Sequence, residues 1–130
     1  MSKKVLIFLK SDVCQFCKII SSKFHNIIED FKKDEVNINI KIINVSKKKF
    51  DTTKYPIALN DYLLWFPMFL LMDEGIWEYF KTKTNIDDYL RANIKVLNGV
   101  WVENKLTYKP TISIKTNTSI KLIKWFNDNK

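Results

Sequence analysis

Val5-Leu-Ile-Phe-Leu9 is an unbroken apolar run of strand length, bounded by the polar stretch Lys10-Ser-Asp12. Beyond it the period changes. Cys17, Ile20, Phe24, Ile27, Ile28 and Phe31 recur three and four residues apart, which predicts one helix over roughly Cys14 to Lys32. Cys17 starts the buried stripe of that helix, and Cys14 falls at its exposed N-terminal end. Val36-Asn-Ile-Asn-Ile-Lys-Ile42 alternates apolar and polar residues, predicting a strand that continues to Val45. Strand, helix and strand in this order predict a βαβ unit with parallel strands and a right-handed crossover.

Ser46 to Thr53 reads as a lysine-rich loop, and Pro56 as the opening of a short helix through Leu63. Trp65-Phe-Pro-Met-Phe-Leu-Leu-Met72 reads as a loop, a proline and a buried strand. The next segment is ambiguous. Gly75–Phe80 fits a strand paired with Met68–Met72, or part of a helical insertion whose helix is Ile86–Ile94. Ile94–Val102 carries Asn98-Gly99, a hairpin-turn dipeptide, and is the favoured source of the last sheet strand. Leu106–Tyr108 and Thr111–Ile114 are further short strand candidates. Ser119–Asn127 is expected to be a terminal amphipathic helix carrying Ile120, Ile123 and Phe126, with Thr118 as N-cap. No linker or internal repeat interrupts this sequence, so a single domain over residues 1–130 is expected.

Composition narrows the function classes. Hydrophobic residues make up 46% of the chain, enough for a core without structural disulfides. No apolar stretch approaches the roughly 20 residues of a membrane span. Val5–Leu9 is too short for the apolar region of a signal peptide. The expected compartment is therefore the cytoplasm, or a particle assembled there, and no membrane partner is expected. The net charge is +8, carried by lysines with Arg91 the sole arginine. Lysines spread this widely read as a solvated surface rather than a nucleic-acid stripe, which would favour arginine for bidentate contacts.

The chemistry-bearing feature is Cys14-Gln15-Phe16-Cys17, which holds the chain's two cysteines at a strand-to-helix junction. Two thiols three positions apart make a poor staple and a good reversible switch. A thiolate at Cys14 is favoured by the unpaired N–H groups and dipole of a helix start. Lys10 and Lys18 add positive potential, and Asp12 opposes it. Cys14 is thus the expected nucleophile and Cys17, on the buried stripe, the resolving thiol. Zinc would need four ligands, and His25 lies about 16 Å along the helix from Cys14. No metal or other cofactor is expected within one chain. An iron–sulfur or zinc site shared across a dimer stands as the alternative. Phe16, Trp65 and Phe66 are expected to gather beside the cysteines as a surface for extended polypeptide. For Trp65 a core position is an equal reading; Trp77, Trp101 and Trp125 are read as core or hairpin packing.

With Lys10-Ser-Asp-Val-Cys-Gln-Phe-Cys-Lys18 between a strand and a helix, and Phe66-Pro67 directly before the apolar strand Met68–Met72, the chain resembles the thioredoxin-like superfamily of thioredoxins and glutaredoxins. The resemblance covers Val5 to about Met72, and the final helix also fits. It implies an α/β fold with a central mixed sheet flanked by helices, here with an altered C-terminal part. It implies that Pro67 is a cis-proline against the redox cysteines and that Phe66 pairs with an extended substrate; a trans, strand-opening Pro67 is the alternative. The chain departs from the family in several places. Gln15-Phe16 is neither Gly-Pro nor Pro-Tyr, although an aromatic before the second cysteine is similar to glutaredoxins. Phe8 stands where thioredoxins carry a buried acid, and Ser22 where they carry a helix-kinking proline. Phe66 is bulkier than the family's usual residue. The glycine pair that helps glutaredoxins hold glutathione is missing after Pro67, so glutathione is not the expected partner. The lysine, asparagine and isoleucine bias is similar to that of small redox proteins of large DNA viruses.

The resulting expectation is a thiol–disulfide oxidoreductase exchanging disulfides with disulfide-containing or dithiol protein substrates. Its direction and its upstream reductase or oxidase are left open. The alternatives are a thioredoxin-fold binding or structural protein, such as a virion component, without turnover, and a basic nucleic-acid-associated module.

Overall fold

A computed structural model describes residues 3–34, 37–47 and 49–130. Val36 of the second expected strand and Lys48 of the lysine-rich loop lie outside the described residues. The first apolar run forms β1 (Lys4–Ser11), and β2 is Ile38–Val45. They pair in parallel, from Lys4 opposite Ile38 to Ser11 opposite Val45. A short 3-10 helix, Ile57–Tyr62, follows Pro56 and leads to β3 (Met68–Asp73). β3 runs antiparallel to β1, with Leu9 opposite Met68 and Lys4 opposite Asp73. β4 (Lys95–Val96) adds antiparallel to β3, giving a mixed four-stranded sheet in the order β2-β1-β3-β4.

Alternation along the two central strands divides the core. Val5, Ile7 and Leu9 of β1 join Met68, Leu70 and Met72 of β3 on one face. Leu6 and Phe8 join Phe69 and Leu71 on the other. All of these side chains are buried, which explains why both strands read as continuous apolar runs rather than alternating ones. Phe8 stacks between Phe24 and Phe69, with ring centroids 5.0 and 4.9 Å away.

The expected single helix after β1 is two, α1 (Gln15–Ser22) and α2 (Phe24–Asp34), broken at Lys23. The Ser22 hydroxyl donates to the Ile19 carbonyl at 2.8 Å, competing with the backbone ladder where the break occurs. The apolar stripe survives the break. Cys17, Ile20, Phe24, Ile27 and Phe31 are buried, and Ile28 is half-buried.

Gly75–Phe80 is not a strand. It lies in α3 (Glu74–Phe80), which buries Ile76, Trp77 and Phe80 against the first core. α4 (Asp88–Asn93) follows, capped by the Asp87 carboxylate, which accepts the Leu90 N–H at 2.8 Å. Asn98-Gly99 does not turn a hairpin either. β4 pairs with β3, whereas β5 (Gly99–Val102) pairs with β6 (Lys105–Tyr108) in a separate two-stranded sheet. The hairpin turn is Glu103-Asn104, both at positive φ (50° and 66°) as a primed two-residue turn requires. Thr111–Ile114 forms no strand.

The last helix, α5, is Thr118–Asn129. Thr118 lies inside it rather than capping it, because its hydroxyl donates to the Ile114 carbonyl at 2.7 Å while Asn117 takes the cap position in left-handed geometry. Its buried face is Leu122, Trp125 and Phe126, with Ile123 half-buried. Ile120 is 66% exposed, contrary to expectation, since Leu122 and Trp125 turn the packed face away from it. Among the described residues no helix is long and apolar enough to cross a membrane.

Candidate functional site

The site follows from the antiparallel pairing of β1 and β3. The C-terminal end of β1 and the N-terminal end of β3 lie at the same end of the sheet, because Leu9 faces Met68. The cysteine loop leaves β1 there, and Trp65-Phe66-Pro67 enters β3 there. The Phe66–Pro67 peptide bond is cis.

A turn links the strand to the cysteines. The Cys14 N–H donates to the Ser11 carbonyl at 3.1 Å, and the Lys18 N–H to the Cys14 carbonyl at 3.3 Å. Cys14 is the N-cap of α1, in extended geometry. Its sulfur accepts the Cys17 N–H at 3.0 Å, taking the capping role that a serine or aspartate oxygen usually fills. The two sulfurs lie at disulfide distance, with the Cα atoms 5.2 Å apart. The two thiol positions are unequal. Cys14 is half-buried rather than fully exposed, and Cys17 is 1% exposed. Val13, immediately before Cys14, is 89% exposed, and Asp12 and Lys18 are exposed as well.

Phe16, Trp65, Phe66 and Pro67 all line one cleft of about 620 Å³ at this end. Cys14 and Cys17 do not line it; Phe16, between them, does. Trp65 serves both of the roles that the sequence left open. It packs against the first core and borders the cleft, its ring 5.1 Å from that of Tyr108. Gly99 makes this possible, because a Cβ there would come within 3.0 Å of the Trp65 ring and 2.9 Å of Val96. Cys17 borders a smaller polar recess of about 230 Å³ with Lys10, Ser11, Asp12, Lys18, Ser21 and Asn44.

The rest of the cleft lining escaped the sequence reading. It consists of Leu97, Asn98, Tyr108 and the irregular segment Pro110–Lys115. Asn98 holds that segment. Its side-chain oxygen accepts the N–H groups of Thr111 (3.0 Å) and Ile112 (2.9 Å), its amide donates to the Ile112 carbonyl (2.8 Å), and its backbone carbonyl accepts the Lys109 N–H (2.8 Å). The sequence offered Leu106–Tyr108 and Thr111–Ile114 only as short strand candidates, and the second forms no strand.

His25 is exposed on α2, and no group of three or more histidine, cysteine, aspartate or glutamate residues arranged to hold a metal ion occurs among the described residues. No family model matches the chain, and no curated protein or solved structure matches it either.

Proposed function

We propose that this protein is a thioredoxin-like thiol–disulfide oxidoreductase acting on protein disulfides. The observation that carries the reading is the capping contact from the Cys17 N–H to the Cys14 sulfur, on the more exposed of two cysteines at disulfide distance. A backbone N–H and a helix start aimed at one sulfur stabilise that sulfur as a thiolate, the reactive species in exchange. The mixed sheet, with β1 and β2 parallel and the other pairs antiparallel, is compatible with a thioredoxin-like fold.

In the reducing direction the Cys14 thiolate attacks one sulfur of a substrate disulfide. A Cys14–substrate bond forms, and the other substrate sulfur leaves as a thiolate that takes a proton from water. Cys17, after losing its proton, attacks the Cys14 sulfur and releases the second substrate thiol. Two electrons have then moved from the dithiol to the substrate, and an external thiol or dithiol reductant returns the Cys14–Cys17 disulfide to the dithiol. Phe66 and Pro67 are the proposed substrate-positioning residues, with Phe16 and Trp65 beside them. A reducing compartment such as the cytoplasm suits this direction.

The test is reduction of a model protein disulfide by the wild-type chain beside Cys14→Ser and Cys17→Ser. The expected result is turnover in the wild type, loss in Cys14→Ser, and a trapped mixed disulfide in Cys17→Ser. Turnover no faster than with the same concentration of a free small dithiol favours the alternative, a binding or structural protein on such a fold.

A further inference from the structure

Resting on the disulfide-exchange reading above, we propose that the cleft beside the cysteines selects polypeptide disulfides whose cysteine is flanked by bulky apolar side chains, with an acidic residue placed to meet Lys115. Phe16 lies between Cys14 and Cys17 and lines the cleft, so a chain covalently held at the Cys14 sulfur is held two residues from the cleft lining. The residues adjoining its cysteine are the first to reach the interior.

The lining decides what suits that interior. Phe16, Ile112 and Ile114 belong to the second core and Trp65 and Phe66 pack on the first, and all of them, with Pro110, give the cleft an apolar lining. A volume of about 620 Å³ exceeds what a single small side chain fills and falls within the range of roughly 300–1,000 Å³ typical of ligand sites. An aromatic or large aliphatic side chain placed there leaves water and gains apolar contact. A glycine-flanked cysteine gains neither.

Charge supplies the second half of the preference. Among the described residues lining the cleft, Lys115 carries the one charge, and none is acidic. Lys10 and Lys18 flank the cysteine loop, and the whole chain carries +8. An acidic segment is attracted by this field, and a basic one is repelled. The wall bearing Lys115 is not a loose strand of chain, because the hydrogen bonds from Asn98 fix Thr111 and Ile112 against the end of the sheet.

The experiment uses the full chain and a set of short peptides, each with one cysteine and oxidised to the symmetric disulfide. Phenylalanine or glycine stands on both sides of the cysteine, and glutamate or lysine three residues further on. Reduction is followed with a thiol reductant in excess, and kcat/KM is compared within the set. Phenylalanine is expected to exceed glycine by about tenfold or more, the scale of a filled against an empty apolar pocket. Glutamate is expected to exceed lysine by about threefold at low ionic strength, less at high salt. Lys115→Glu, at an exposed position, is expected to reverse the second ratio. Turnover of all peptides with equal kcat/KM overturns the selectivity and leaves the oxidoreductase reading standing. Turnover of none of them overturns both.

Discussion

At the scale of single residues, Tyr62 carries a cost that the fold leaves visible. Its ring is fully buried beside Phe80 and Trp101, and its hydroxyl has no hydrogen-bond partner among the described residues. Burial pushes the phenol pKa well above its ordinary 10.0, with the Asp61 charge acting the same way and Arg91 opposing. The folded protein therefore holds this proton longer than the unfolded chain. Stability linked to the group is complete below about pH 10 and is lost as pH rises further, since only the unfolded state then releases the proton freely. Tyr62→Phe removes both the orphan hydroxyl and the titration. Urea denaturation is expected to show a gain of about 1 kcal/mol at neutral pH and a flatter decline in stability above pH 10. A loss at neutral pH with the alkaline decline unchanged would contradict this account. Cys14, Cys17, Phe16, Trp65, Phe66 and Pro67 show the opposite side of residue-scale reasoning. That Phe16, Trp65, Phe66 and Pro67 line one cleft at the end of the sheet the cysteine loop leaves was expected only through the thioredoxin-like resemblance; the antiparallel register of β1 and β3 that produces it could not be read from the residues. The inequality of the two cysteines was legible, from the apolar stripe that begins at Cys17.

Among the elements, those that periodicity describes well were the ones read well. β1, β3 and the stripe of α1 and α2 bury long apolar sets, whereas the edge strand β2 buries Ile38, Ile43 and Val45 and leaves Ile42 of the expected alternation 40% exposed. Elements fixed by tertiary contacts were not readable in the same way. Ile76, Trp77 and Phe80 fit a strand or a helix over so short a span, and packing against the first core decided for α3. Asn98-Gly99 looked like a turn because Asn98 does adopt positive φ, at 60°. Its side chain, however, is spent on the Thr111–Ile112 backbone, and Leu97 is drawn into the second core while its N–H bonds the Phe69 carbonyl at 3.0 Å. The turn at Glu103-Asn104 lacked the usual glycine. These contacts make Asn98 the positioning residue of the cleft wall. Asn98→Ala removes the four side-chain hydrogen bonds between Asn98 and Thr111–Ile112. It is expected to raise KM for phenylalanine-flanked peptide disulfides by about tenfold while changing kcat far less, since the cysteines belong to a different loop. A general structural defect would instead lower kcat for every substrate in parallel, including glycine-flanked peptides.

Over the whole molecule, one sheet serves two cores, and this makes the protein a single mechanical unit. β1 sends Val5, Ile7 and Leu9 to one side and Leu6 and Phe8 to the other, and β3 divides its residues in the same manner. Neither core can open without exposing strands that the other needs. The cysteine loop and the Phe66-Pro67 corner stand at one end of this shared sheet, so their relative placement depends on both cores. Cooperative unfolding of the whole chain follows. The tryptophans test it, because Trp77 belongs to the first core and Trp125 to the second. Phe8→Ala removes the ring between Phe24 and Phe69 and is expected to cost about 3–5 kcal/mol, as for other fully buried aromatic side chains. In that variant the signals of single-tryptophan versions retaining Trp77 or Trp125 are expected to change at one common urea midpoint, together with far-ultraviolet circular dichroism. A cavity in the second core should weaken both cores equally if β1 and β3 couple them. An early transition at Trp125 with Trp77 still native would mean that the two faces of the sheet unfold separately, and that the geometry beside the cysteines can be disturbed from one side alone.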